Sequence, residues 1–487
     1  MCNSSQNICF SSGTTKNRTR DTWIFSPLLY QLSYGTLYFE PTKVVKFFLF
    51  PKFYENYLLI LWQQINPITM KRIFYLLLAS IIFMGITNAQ VTKQDILNPI
   101  ERSAGVFYSY EEPSTDLTPI PVGYEPFYIS HYGRHGSRWQ ISPQTYESPL
   151  AYLTNASEQN KLTELGKSLY ERMKIIAADA DGNYGALSPR GVVEHRGIAE
   201  RMYKNFPQVF SADNGIIQCR STTVPRCILS MAAFCERLKE LNTDLKITRE
   251  ASERYMKYLS HRNEAKNIGE KNKDIFGKLK GEYIKPERFI KAIFSDDTFE
   301  NNDNQADFML NIYLLASDMQ DIDYLNISLY DVFTEDELFD LYKYYNARMY
   351  LNCGPSLPHW QALKNDSKPL LRNIIESADD AIQNKTHSAA FRFGHDSYIT
   401  PLVALLGIEG TTEITDDYEN LHKTWNTFSV TPMAANFQMI FFKNKENHII
   451  VKVLYNEREV QIPAKTNMFP YYNWSDVRDY YMSVLEE

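Results

Sequence analysis

Three short polar segments carry side chains that together could transfer a phosphoryl group. The first, Gly133-Arg134-His135-Gly136-Ser137-Arg138, sets an imidazole between two guanidiniums and flanks it with glycine. An arginine fork matches the paired oxygens of a tetrahedral anion, and an imidazole nitrogen can attack phosphorus. The second segment runs from Arg220 to Arg226 and adds guanidiniums around a Ser/Thr loop. The third, Gly394-His395-Asp396, puts an imidazole beside a carboxyl that can protonate a departing alkoxide. His135 as nucleophile, Arg134, Arg138 and Arg226 as a cationic cradle, and Asp396 as acid are the parts a metal-free phosphomonoesterase needs. Each segment alone has a plainer reading, since Arg-His-Gly also suits a surface loop and His-Asp a helix cap.

Their common setting favours the chemical reading. Phe127 to Tyr132, Gly215 to Cys219 and Ala389 to Phe393 are short aromatic or β-branched runs, and each delivers its end to one of the three segments. Helical stretches follow the last two, over Val224 to Leu241 and Asp396 to Leu406. Strand, polar tip and helix, repeated, predict an α/β protein with its tips converging outside the carboxyl ends of the strands. Between residues 241 and 340 charged, helix-favouring sequence replaces strand-like runs, and a helical cap inserted into the α/β core is expected there. The core then comprises 90–240 and 341–487. Its first stretch, 90–123, carries Pro99, Pro113, Pro119 and Pro121 and is expected to be an irregular lead-in before the fold proper. Asn436 to Phe442 and His448 to Tyr455 alternate around Lys443 to Asn447 as an antiparallel hairpin would.

The N-terminal region has its own grammar. From Met70 the chain has Lys71 and Arg72, an uncharged apolar run from Ile73 to Ile86, and the small-residue site Thr87-Asn88-Ala89. That is the pattern of a secretory signal over 70–89, and it makes 1–69 an expected upstream extension. The run is shorter than the roughly 20 residues of a spanning helix, so stable membrane insertion is not expected after export. The exported protein would be periplasmic, on the outer surface or extracellular.

The whole chain has 487 residues and a net charge of -7; without residues 1–89 it keeps 43 basic and 55 acidic side chains, a formal charge of -12. Such a balance argues against a nucleic-acid binder, and any anionic ligand needs a local positive site. Cys219, Cys227, Cys235 and Cys353 remain, with their pairing open; neither a Cys-x-x-Cys nor a His-Glu-x-x-His pattern occurs, so no metal site or cofactor is expected.

At these residues the sequence resembles the histidine acid phosphatases, the branch of the histidine phosphatase clan that includes phytases and multiple inositol polyphosphate phosphatases. Arg134 to Arg138 matches that family's Arg-His-Gly-x-Arg, Arg226 its third arginine and His395-Asp396 its His-Asp dipeptide. Leu187-Ser188-Pro189-Arg190-Gly191 sits where the family has a Leu-Thr-x-x-Gly, and Arg220 and Ser230 also fit. Further similarity to the inositol polyphosphate group lies at Val332 to Asp336, Tyr344 to Gly354, Ala435-Asn436 and Asn456-Glu457. Two departures stand out: Trp139 replaces a frequent proline, and the inositol polyphosphate group usually has His-Ala-Glu where this chain has His395-Asp396-Ser397.

The resemblance implies a phosphoglycerate-mutase-like α/β core with an inserted, mostly helical cap. It implies a phosphohistidine on His135, with Arg134, Arg138, Arg226 and His395 holding the non-bridging oxygens and Asp396 serving as acid. The implied substrate is a small phosphomonoester, with a polyanionic, phytate-like inositol phosphate favoured. The alternatives are a broad acid phosphatase, a clan phosphotransferase or mutase, and a non-catalytic binding protein. His131 is expected to support the nucleophile's strand, and Arg220 either to line the pocket or to pair with a carboxylate. Residues 254–291 hold 11 Lys plus Arg against 5 Asp plus Glu, expected to be a solvated helix face, with a basic rim for a polyanion as the other reading.

Overall fold

The computed structural model describes residues 90–211, 215–295 and 302–487. The upstream extension and signal expected over 1–89 lie outside the described residues. Among the described residues no helix is long and apolar enough to cross a membrane.

Among the described residues eight strands form one sheet: β1 (Glu125–Arg134), β2 (Ile216–Ser221), β3 (Lys246–Ala251), β4 (His387–Gly394), β5 (Asn436–Lys443), β6 (Ile449–Tyr455), β7 (Arg458–Glu459) and β8 (Tyr471–Asn473). Their order is β3-β2-β4-β1-β5-β6-β7, with β8 paired to β6. β3, β2, β4 and β1 run parallel; β5 to β8 complete the sheet in antiparallel fashion. The expected hairpin is β5 and β6. The three tip-bearing strands are neighbours, so Arg134 lies beside Gly394 and Ser221 beside Phe393 in register.

Side-chain alternation explains the layers. Every residue of β4 is buried, which near-continuous apolar sequence permits and a strand covered on both faces requires. Ala389, Phe391 and Phe393 point with Ile129, Ile217 and Cys219 into one core. Ala390 points with Tyr128, Tyr132 and Phe437 into the other. Burial of Phe391 and Phe393 contributes roughly 1.5–3 kcal/mol each.

The helices in chain order are α1 (Lys93–Leu97), α2 (Gln144–Glu158), α3 (Glu164–Ala180), α4 (Pro189–Asn205), α5 (Pro225–Leu241), α6 (Glu253–Leu259), α7 (Ile268–Lys271), α8 (Lys273–Tyr283), α9 (Glu287–Ile293), α10 (Asn302–Asp318), α11 (Glu335–Cys353), α12 (Trp360–Asn384), α13 (Asp396–Leu405), α14 (Thr427–Val430) and α15 (Trp474–Glu486). α4 and α5 pack together on the first core, and α12 crosses the other face of β1 and β4.

Three sequence expectations change. β3 falls inside the stretch read as wholly helical and extends the sheet beyond β2. Its KITREA sequence is mostly exposed at the sheet edge, so it lacks the apolar run that marks buried strands. The helical layer also recruits α2 and α3, which pack against α10 and α9, while α11 runs across residue 340. The lead-in is not peripheral either. Thr92 and Asp95 close a capping box on α1, and Val106 and Phe107 are buried beneath the site on a 3-10 segment, Ile100–Phe107. The apolar residues of this stretch are dispersed between prolines and show no period, which is why pattern alone misses it.

Candidate active site

The tips meet because their backbones are stitched together at the ends of the strands. The His135 amide donates to Gly394 O at 2.9 Å, Thr222 N to Phe393 O at 3.0 Å, and Arg134 N to Ala435 O at 2.8 Å. Gly136 shows why glycine is needed here: a Cβ on it would lie 2.6 Å from the carbonyl oxygen of Gly191, at the start of α4. The Leu187 to Gly191 segment therefore seats directly on the nucleophile loop, and Ser188 N reaches Ser137 O at 2.9 Å.

His135 is 2 % exposed, and its Nδ1 lies 2.9 Å from the carbonyl of Gly136. A carbonyl only accepts, so the proton sits on Nδ1 and the lone pair on Nε2. Burial, then Arg134, Arg226, His395 and Arg138, hold the His135 pKa well below its ordinary value. The ring is neutral and nucleophilic. The His395 ring is 5.5 Å away, centroid to centroid. Burial pushes the His395 pKa down to about 4, and its Nε2 lies 3.2 Å from Thr222 Oγ1 and 3.6 Å from Cys227 Sγ.

Arg134 is fully buried, with Nη1 donating to Val106 O and Thr431 O, both at 2.7 Å, and Nη2 3.1 Å from Asp396 Oδ2. Arg138 donates to Trp139 O at 2.8 Å and lies 5.4 Å over the Phe107 ring. Arg226 is partly buried, and burial and Arg138 push its pKa down, the mark of guanidiniums crowded together. Nε of Arg134, Arg138 and Arg226 has no hydrogen-bond acceptor, and Nη2 of Arg134 has only its ion pair with Asp396. Burial pushes the Asp396 carboxyl upward, but Arg134, His395, Arg138 and the Ser397 amide outweigh it and hold it below the usual carboxylate range. Asp396 opens α13 and accepts from that amide at 2.6 Å, a position where the helix dipole also favours the anion. All six proposed site residues are thus brought to one place.

The residues that sequence reasoning missed lie behind the loop. Glu194 on α4 accepts from Ser137 N and Ser137 Oγ, both at 2.8 Å, and from Tyr110 N at 2.9 Å. Asp321 Oδ1 lies 2.8 Å from Ser137 Oγ and 2.9 Å from Ser109 Oγ. Three short contacts are thus shared by two hydroxyl protons, and the group has room for a third. Asp321 is its natural seat: burial, Asp318 and Glu194 raise its pKa well above the ordinary value. Asp318, raised to about 7 mainly by burial, accepts from Gln140 N at 3.1 Å. Glu194 carried one sequence signal, because it falls in the buried stripe Gly191, His195, Ile198 and Met202 of α4.

The other residues singled out in the sequence lie as follows. His131 is buried among Phe234, Phe391 and Phe393, and neither ring nitrogen has a partner; it supports the strand from the core. Arg220 turns away to Glu250 at 3.4 Å and lies 4.6 Å over the Tyr255 ring. Trp139, in place of the frequent proline, donates its indole N–H to Asp179 at 2.9 Å and so ties the loop to α3. Asn456 accepts from Asn436 N at 3.0 Å, fixing the start of β5 beside Arg134. Cys219, Cys227, Cys235 and Cys353 are buried free thiols. Among the described residues no cluster of three or more His, Cys, Asp or Glu could hold a metal ion.

Comparison with known proteins gives the family and the fold. The family model described as histidine phosphatase superfamily (branch 2) matches residues 133–456. The fold is similar to that of the Bifidobacterium longum multiple inositol polyphosphate phosphatase, solved in complex with inositol hexasulfate. The TM-score is 0.65 at 19% identity, covering 77% of this chain and 96% of that one. It is also similar to the phytase from D. castellii, with a TM-score of 0.61 at 15% identity over 79% of this chain and 84% of that one. No curated protein sequence matches significantly.

Proposed function

This chain belongs to branch 2 of the histidine phosphatase superfamily, and from that premise we propose that it hydrolyses phosphomonoesters through a phosphohistidine on His135. The observation that carries the reading is the His135 imidazole, its lone pair on Nε2, set among three guanidiniums with uncommitted N–H groups. In the first step Nε2 forms a bond to phosphorus while the ester P–O bond breaks and the leaving oxygen takes a proton from Asp396. In the second, the Asp396 carboxylate accepts a proton from water, whose oxygen bonds phosphorus as the N–P bond breaks. Arg134, Arg138, Arg226 and the neutral His395 ring hold the non-bridging oxygens, so charge stabilisation needs no metal.

Asp396 must be protonated at the start, although the arginines favour its anion. A phosphomonoester has a second pKa near 6, so at acidic pH it arrives as a monoanion and can bring the proton with it. A dianionic ester would instead neutralise the arginines and let the Asp396 pKa rise. Either route makes an acidic optimum.

The favoured substrates are inositol polyphosphates. Arg262 supports this, because it donates to Ser397 O at 2.7 Å and lies 5.2 Å over the Tyr398 ring, a further guanidinium beside the acid. A broad acid phosphatase is the second reading, favoured by the His-Asp dipeptide. Turnover of inositol hexakisphosphate, 2,3-bisphosphoglycerate and p-nitrophenyl phosphate decides. A preference of tenfold or more in kcat/KM for the hexakisphosphate supports the first reading, and equal values the second. The signal pattern over 70–89 supports a working enzyme outside the cytoplasm.

A further inference from the structure

A groove of about 1020 Å3 opens between α6 and α12 beside Arg220 of β2. Six of its residues, Asn365, Lys368, Pro369, Arg372, Asn373 and Glu376, follow the three- and four-residue spacing of a single face of α12. The opposite face of that helix, with Leu363, Leu370, Leu371 and Ile374, is buried. Arg254 and Lys257 of α6 and Arg220 of β2 supply the other wall. Five cations therefore line the groove against one carboxylate, Glu376.

Their pairing is what sets them apart. Arg220 has Glu250 at 3.4 Å. No ion pair joins Arg254, Lys257, Lys368 or Arg372 to a carboxylate among the described residues; Glu250 feels the charge of Arg254 and Glu487 that of Lys368 from further off, and Lys368 is half-buried. Elsewhere the same basic run is neutralised locally: Lys280 pairs with Asp307 and Arg288 with Glu337. Four unpaired like charges around one concavity repel one another and focus positive potential into it, in a chain whose net charge is -7. None of His135, Arg134, Arg138, Arg226 or Asp396 lines the groove. Tyr255, which Arg220 and Arg254 both cover, and Tyr258 give it an aromatic floor, and its volume is at the upper end for a small-molecule site.

We propose that this groove is a second, non-catalytic binding site for a compact small molecule carrying several phosphate or sulfate groups. Pairs of cations on the two helices would each take one anionic group, and the tyrosine and asparagine side chains the space between them. The site shares β2 with the catalytic one, since Arg220 precedes by two residues the Thr222 whose hydroxyl touches His395. Binding there stands whether or not the same compound is also hydrolysed.

Calorimetric titration of the full chain with myo-inositol hexakissulfate, which cannot be hydrolysed, tests the proposal. Two molecules should bind per chain. Lys368→Glu with Arg372→Glu, and separately Arg254→Ala with Lys257→Ala, should weaken one event about tenfold or more and leave turnover of p-nitrophenyl phosphate unchanged. Arg138→Ala should remove only the other event. A single event that neither groove variant alters would overturn the proposal. So would capture of the chain by phosphatidylserine vesicles through these residues without any binding of the free hexakissulfate at the groove. Loss of p-nitrophenyl phosphate turnover in the wild-type chain would count against the catalytic reading and leave the groove titration intact.

Discussion

The loop from Arg134 to Arg138 has two sides built on opposite rules. Facing Arg226 and His395 it gathers cations some of whose N–H groups, each Nε among them, lack acceptors, around one imidazole kept neutral. Facing α4 and the end of α10 it is pinned by carboxyls, with Ser137 held by Glu194 and Asp321 and Gln140 by Asp318. Buried polar groups cost free energy unless paired, so the first side is held in place at a cost in stability and the second side stabilises it. Reactivity and rigidity are thus divided between the two faces of five residues. Substitutions in front should damage turnover with little effect on folding, and those behind should do the reverse.

The largest effect is expected at His135. His135→Ala should lower kcat by roughly four orders of magnitude or more on every phosphomonoester and abolish acid-labile labelling of the protein by a 32P substrate, with the thermal midpoint little changed. Residual turnover within a hundredfold of wild type would end the phosphohistidine mechanism. Asp396→Asn comes next. It should cost about 10²–10⁴-fold on alkyl phosphates and far less on p-nitrophenyl phosphate, whose leaving group needs no proton. Because the groups around Asp396 hold its pKa below the usual range, alkyl phosphate turnover should decline from acidic toward neutral pH as its proton is lost. That decline should be absent from the variant's p-nitrophenyl phosphate profile. Equal losses on both substrates would remove Asp396 as the acid.

Much of the front was legible in sequence because its chemistry is local. Arg134, His135 and Arg138 lie within five residues at the end of a strand, and His395-Asp396 repeats the plan on another. The back was not, because Ser137 meets Glu194 and Asp321 from 57 and 184 residues away, and nothing in their neighbourhoods announces the contact. β3 escaped for another reason, since an exposed parallel edge strand has no apolar run to show. The parallel order β2-β4-β1 also depends on long helical crossovers, which the strand pattern implies in kind but does not order.

Behind the loop, Glu194→Ala should act mainly on stability. It would leave Ser137 N, Tyr110 N and a hydroxyl without their acceptor, for a loss of about 2–4 kcal/mol in chemical denaturation. Folded variant should retain kcat within about tenfold, its Km rising as Arg138 loosens. A kcat loss as deep as that of His135→Ala, without destabilisation, would erase the distinction between the two faces.

The smallest effect, and the sharpest test of the buried proton, is expected from Asp321→Asn. If Asp321 carries the third proton of the Ser109, Ser137 and Glu194 group, an amide of the same shape replaces it with donors in place, and at pH 5 stability should change by less than about 1 kcal/mol. A carboxyl whose pKa is raised on folding binds its proton more tightly in the native state. Its stabilisation is complete below the unfolded value near 3.8 and is lost as pH rises through the folded value. Wild type should therefore lose ground to the variant as pH rises from the unfolded value to the folded one, by at most about 1.4 kcal/mol per pH unit, and hold a constant difference beyond it. The comparison must be made between the two proteins at each pH, because buried His131 and His195, whose pKa values are depressed by burial, weaken both equally at low pH. Asp318 and Glu194 face Asp321 and raise its pKa, and Arg138 acts on Asp318, so part of the difference between the two curves is carried by these neighbours once the Asp321 charge is removed. A stability difference that does not vary between pH 4 and pH 8 would mean that Asp321 is ionised throughout and that the proton resides elsewhere in the group.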